Sequence, residues 1–136
     1  MAVINSQNGK PFIDVFDVES NDTTAVDIHT YPKGTVITFI SLTIQESGVG
    51  TANASVGDDD DADGFLTAAD AFASEGTVYG DAVNERGVYL YSSTYGAGYM
   101  KYYISAEKTL KLVLSAAVDT QPVFRVIVKG FSFSPD

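Results

Sequence analysis

Five aspartates fill six consecutive positions, Asp58 to Asp61 and Asp63, in the stretch VGDDDDADGFLTAAD. Carboxylates at this density suit a hard cation. Calcium takes about six to eight oxygen ligands, and an EF-hand-type loop supplies them from positions 1, 3, 5, 7, 9 and 12, with glycine at 6 for the sharp turn. Counted from Asp59, the spacing offers Asp59, Asp61 and Asp63, then Gly64 at six, the Phe65 carbonyl at seven, Thr67 at nine and Asp70 at twelve. Calcium is therefore an expected optional ligand, held by Asp59, Asp61, Asp63 and Asp70, and no cofactor is required. The competing expectation is a solvated turn in which Gly57 and Gly64 provide positive φ and an aspartate caps a following helix.

The other reactive residues are sparse. His29 is the only histidine and has no second imidazole to share a metal, so it is expected on the surface of an alternating strand. Asp14, Asp17 and Asp27 offer the two acids that glycoside cleavage needs, but strand aspartates also protect a sheet edge from unwanted pairing. No nucleophile elbow, phosphate-binding loop or dinucleotide glycine pattern is present. These residues support no enzymatic assignment. Most of the eight tyrosines lie between Tyr89 and Tyr103. A tyrosine buries a flat body and keeps its hydroxyl wet, which suits core, sugar platform or subunit contact alike.

Alternation of period two runs through the segments that must position these groups. In FIDVFDV, Phe12, Asp14, Phe16 and Val18 interleave with Ile13, Val15 and Asp17, and in TVITFISLTIQE apolar residues occupy both faces, as in a central strand. Leu110, Leu112 and Leu114 share one face of TLKLVLS. In VFRVIVKGF, Phe124, Val126 and Val128 point inward, with Arg125, Ile127 and Lys129 outward. Only LTAADAFAS, Leu66 to Ser74, is expected to be helical.

The expected fold is all-β, a jelly-roll-like β-sandwich of about eight or nine strands with one short helix. At 136 residues the chain fits one domain, with residues 1–11 as an extended amino-terminal arm. A net charge of −10 repels phosphate backbones and anionic lipid, which argues against nucleic-acid and membrane partners. The amino-terminal residues lack the basic and apolar regions of a secretory signal, and no apolar run approaches the ~20 residues of a membrane span. With no cysteine, disulfides and thiolate metal sites are excluded.

Between residues 35 and 131 the order of pieces resembles small virion structural proteins of tailed bacteriophages. The shared features are VGD (Val56 to Asp58), DGF (Asp63 to Phe65) with LTAADAFA, KYY (Lys101 to Tyr103), TLKLVLS and FRVIVKGF (Phe124 to Phe131). The resemblance implies a β-sandwich used in many copies on a virion assembled in the host cytoplasm. It would act as a capsid decoration or cement protein or as part of a tail or fibre, commonly as a homotrimer, bound to the major capsid protein or to tail proteins. Ile127, Phe131 and Phe133 are candidate contacts from the outward register of the last strand. The alternative function is a carbohydrate- or receptor-binding module of a tail fibre, with Tyr95 and Tyr99 as a stacking surface beside calcium.

Overall fold

A computed structural model describes residues 9–92, 96–97 and 99–133. Nine strands build two antiparallel sheets. Sheet A holds β1 (Lys10–Glu19), β3 (Thr35–Glu46), β6 (Val78–Tyr79), β9 (Lys101–Tyr102) and β11 (Val123–Ser132), in the order β1-β11-β3-β6, with β9 also on β3. Sheet B holds β2 (Val26–Tyr31), β4 (Asn53–Gly57), β5 (Leu66–Asp70) and β10 (Lys108–Leu114), in the order β2-β10-β4-β5. A small hairpin joins β7 (Tyr91–Ser92) to β8 (Gly96–Ala97), and Val83–Glu85 form a single 3-10 turn.

The pairings nest: β1 with β11, β2 with β10, β3 with β6 and β9, and β4 with β5. Successive strands from β1 to β4 alternate between the sheets. This is a long hairpin wound on itself into two Greek keys, the jelly-roll arrangement, as the alternation in the sequence predicts.

The core is the pair of inner faces. Leu110, Leu112 and Leu114 from β10 meet Phe124, Val126 and Val128 from β11, all buried as their period-two spacing requires. Truncating one of these leucines to alanine would cost about 2–5 kcal/mol in lost transfer energy and cavity. Strand β3 departs from simple alternation. Its partners pass from Ile37 opposite Gly130 to Phe39 opposite Lys129, leaving Thr38 as an extra residue. This bulge switches the face, so Ile37 and then Ile40, Leu42 and Ile44 all point inward.

The helix expected over Leu66–Ser74 is not formed. Leu66–Asp70 is an edge strand on β4, followed by a turn. Alanine favours helix in isolation, but here Ala69 and Ala71 are buried against β4. Small side chains let the backbone close onto the core, and tertiary pairing overrides propensity. Of the proposed arm, residues 1–8 lie outside the described residues, whereas Lys10 and Pro11 already belong to β1.

Candidate assembly surface

The aspartate run is a tight turn between β4 and β5 organised around one buried acid. Asp58 follows Gly57 at the end of β4 and is nearly inaccessible. Its Oδ1 accepts the backbone N–H groups of Asp60 (2.9 Å) and Asp61 (3.1 Å) and the Tyr89 hydroxyl (3.0 Å), and its Oδ2 accepts the Tyr103 hydroxyl (2.8 Å). Four donors compensate its desolvation. Burial, followed by the bond to Asp58, pushes both phenol pKa values well above the ordinary tyrosine range. The Lys101 ammonium lies 4.2 Å from the centre of the Tyr89 ring, a cation–π contact on the far side of a phenol that serves an anion.

Gly57 and Gly64 serve space, not positive φ. Neither has a positive φ, but a Cβ on Gly57 would lie 2.0 Å from the Asp61 carbonyl oxygen, and one on Gly64 would lie 2.4 Å from the Tyr89 ring. With β5 in place of a helix, there is no helix for an aspartate to cap.

The acids singled out by spacing are dispersed. Asp59 faces sheet B, where Lys111 Nζ is 2.9 Å away and the Thr109 N–H donates to it at 3.2 Å. Its hydrogen bond to Lys111 holds the Asp59 carboxyl below the usual range. Asp60 pairs with Lys108 at 3.0 Å. Asp61 Oδ1 accepts the Asp63 N–H at 3.3 Å, and the contact between their carboxyl groups raises the Asp63 pKa. Asp70 stands on β5, where its Oδ1 accepts the Phe72 N–H at 2.9 Å. Among the described residues, no three acidic or histidine side chains are grouped to hold a metal ion.

The strand acids also have protein partners. Asp14 accepts the Tyr31 hydroxyl at 2.9 Å, the two oxygens of Asp17 accept from Nε and Nη2 of Arg125 at 3.0 and 3.3 Å, and Asp27 lies 3.8 Å from Lys111. The bond to Arg125 lowers the Asp17 pKa, which is the wrong direction for a general acid that must hold a proton. His29 is exposed, stacked on Phe16 with ring centres 5.4 Å apart and edge-on to Tyr31 at 4.7 Å.

The outer face of sheet A is a different kind of surface. The strand register defines its cross-strand rows. Tyr102, Val36, Phe131 and Pro11 form the first, Phe39, Lys129 and Ile13 the second, and Ser41, Ile127 and Val15 the third. Beyond them come Thr43, Arg125 and Asp17, then Glu46, Val123 and Glu19. Ile13 is 66% exposed, Val15 53%, Tyr102 46% and Phe131 42%. Phe133 adjoins the first row, its ring 6.4 Å from that of Tyr102.

Within these three rows Val36 and Ser41 are buried, and the one charge is Lys129, whose ammonium lies 4.9 Å from the centre of the Phe39 ring. Ile127, Phe131 and Phe133, expected from the outward register, thus lie on or beside one continuous apolar face. Tyr99 is exposed and is placed on none of these rows, and Tyr95 lies outside the described residues. Sequence reasoning missed Phe39, Val36, Ile13 and Val15. The two valines and Ile13 are indistinguishable by type from core residues, and the bulge at Thr38 is what puts Val36 on the face opposite Ile40, Leu42 and Ile44.

No protein-family model matches the chain, and no curated protein matches it in sequence. The fold does have solved counterparts. A chain of the cyanophage Pam1 capsid asymmetric unit superposes with a TM-score of 0.64 at 14% identity, covering 97% of this chain and 91% of that one. A chain of the acid-stable capsid of Helicobacter pylori bacteriophage KHP30 superposes with a TM-score of 0.52 at 15% identity, covering 90% of this chain and 93% of that one. In each case the likeness spans nearly the whole jelly roll.

Proposed function

We propose that this protein is a non-enzymatic structural component of a bacteriophage virion, a capsid decoration or cement protein that works as a homo-oligomer and docks through the outer face of sheet A. The observation that carries this reading is the set of exposed and half-buried apolar side chains on this face, Ile13 and Val15 on β1, Ile127 and Phe131 on β11, Phe39 on β3 and Tyr102 on β9. A soluble monomer seldom leaves such a contiguous apolar patch uncovered. On a chain of net charge −10 it is also a place where a partner meets little repulsion.

The whole-length likeness to chains of two phage capsids supports the setting. Many identical copies on a shell multiply a modest contact into firm attachment, so the patch need not match a large obligate interface. The test is binding of the purified protein to capsids of its phage lacking it, read by co-sedimentation. Parent protein should bind, and Ile127→Glu with Phe131→Glu should not, at unchanged melting temperature. Equal binding by the parent and the double variant would sink this reading.

A further inference from the structure

Strands β1 and β2 lie at the same side of the sandwich, β1 ending sheet A and β2 ending sheet B. Among the described residues each pairs on one side only, β1 with β11 and β2 with β10, so alternate backbone groups on their other sides have no strand partner there. One end of the seam between them is closed by the Tyr31 bond to Asp14 and by the Phe12–Tyr31 and Phe16–His29 stacks. Past Phe16 it opens into a cavity of about 340 Å³ lined by Val15, Phe16 and Val18 from β1 and Val26 and Ile28 from β2, with Asp17, Glu19 and Asp27 at its rim.

We propose that this seam accepts an extended, basic segment of a partner protein, which adds as a strand to a free sheet edge. The backbone edges call for an extended occupant, and the floor of Phe16, Val26 and Ile28, each left half-buried, calls for apolar side chains at alternate positions. The charged lining residues are all acidic. Among the described residues Glu19 meets only the neutral Gln121 amide at 2.7 Å, and Asp27 has a lysine no nearer than 3.8 Å. Lysine or arginine at the intervening positions completes both.

A second copy of this chain does not fit that description. Among the described residues, Lys108, Lys111 and Arg125 are bound to Asp60, Asp59 and Asp17, Arg86 to the Gly80 and Asp81 carbonyls, and Lys101 and Lys129 lie over aromatic rings. Lys10 and Lys33 are isolated along the chain. The partner is therefore a different protein, and its place in the virion rests on the function proposed above.

The probe is a blocked synthetic peptide of alternating valine and lysine, titrated into the full chain by fluorescence anisotropy and mapped by amide hydrogen exchange. It should bind and slow exchange at residues 15–19 and 26–28. The paired variant Glu19→Lys with Asp27→Lys should weaken binding about tenfold or more at low salt, without lowering the melting temperature. Equal binding by a peptide of the same charge interrupted by proline would reduce the effect to charge alone and overturn strand addition. So would protection mapped elsewhere, binding unchanged in the paired variant, or no binding. Because this readout needs no capsid, it separates from the docking test: capsid binding lost with Ile127→Glu and Phe131→Glu, while the peptide fails to bind, leaves the function standing and removes the groove.

Discussion

Tyr103 donates its hydroxyl to Asp58 at 2.8 Å across 45 positions of the chain, and both residues are buried. The bond ties the turn after β4 to the residue that follows β9, and so joins sheet B to sheet A through a charge. Asp58→Ala removes the acceptor of four hydrogen bonds and leaves two phenols and two amides to find other partners. The expected loss is about 3 kcal/mol or more in urea denaturation. Tyr103→Phe, which leaves three of the four donors in place, should cost only about 1–2 kcal/mol. A double-mutant cycle with Tyr89→Phe should show coupling, since both hydroxyls serve one carboxylate.

Gly57→Ala tests the turn from the backbone side. The added Cβ would lie 2.0 Å from the Asp61 carbonyl oxygen and 2.4 Å from the Ala62 carbonyl carbon, and neither is the free end of a side chain. We expect a loss of about 2–3 kcal/mol from displacement of the turn. Gly76→Ala, where no atom lies within 4 Å but φ is +87°, should cost about 1 kcal/mol from backbone strain alone.

Much of this architecture was legible in the alternation of apolar residues. The inward triplets of β10 and β11 follow directly from period two, and the jelly-roll expectation rests on them. Two things were hidden. A bulge is not encoded in the pattern of residue types, because Ile37, Phe39 and Ile40 are equally apolar and only the register with Gly130 shows where the face switches. Nor does sequence distinguish Asp58 from the three aspartates after it. The difference arises because the chain turns immediately after Gly57, tucking the first carboxylate under Tyr89 and Tyr103 while its neighbours reach lysines on β10. Alanine-rich LTAAD misleads for a related reason, since small size matters there for close packing and not for helix formation.

The calcium spacing leads to a direct expectation. Asp59 is engaged by Lys111, Asp70 at the end of β5 accepts the Phe72 N–H of the following turn, and Asp61 and Asp63 adjoin one another. Two adjacent carboxylates fall well short of the ligand number calcium requires. Thermal melts in chelator and in millimolar calcium should therefore give the same midpoint. A rise with calcium would show ligand-linked stabilisation of the folded state and restore the loop as a cation site.

The docking face separates stability from assembly. Ile13 and Val15 are more than half exposed, so Ile13→Lys with Val15→Lys removes little buried area and should change stability by no more than about 0.5 kcal/mol. The same pair places charge along the β1 margin of the proposed contact and should weaken capsid co-sedimentation. Lys129→Ala, which removes a charge from over the Phe39 ring, should leave binding within a fewfold of parent if apolar burial dominates.

Asp59 and Asp63 should respond to pH with opposite signs. The hydrogen bond to Lys111 lowers the folded-state pKa of Asp59, so its contribution is present above the unfolded value of about 4 and disappears as pH falls through the folded value. Asp59→Asn should destabilise at pH 7 and be neutral in acid. Contact with Asp61 raises the folded-state pKa of Asp63, so that group's contribution is complete below about 4 and is lost as pH rises through its folded value. At pH 7 the parent therefore carries a repulsion that Asp63→Asn relieves. The gain should be about 0.5 kcal/mol after discounting for solvent screening, and it should vanish below about pH 4. Melting curves of the two variants and the parent between pH 3 and pH 7 should accordingly diverge in opposite directions from a common acid limit. Parallel curves would mean that these carboxylates do not hold the partners assigned to them.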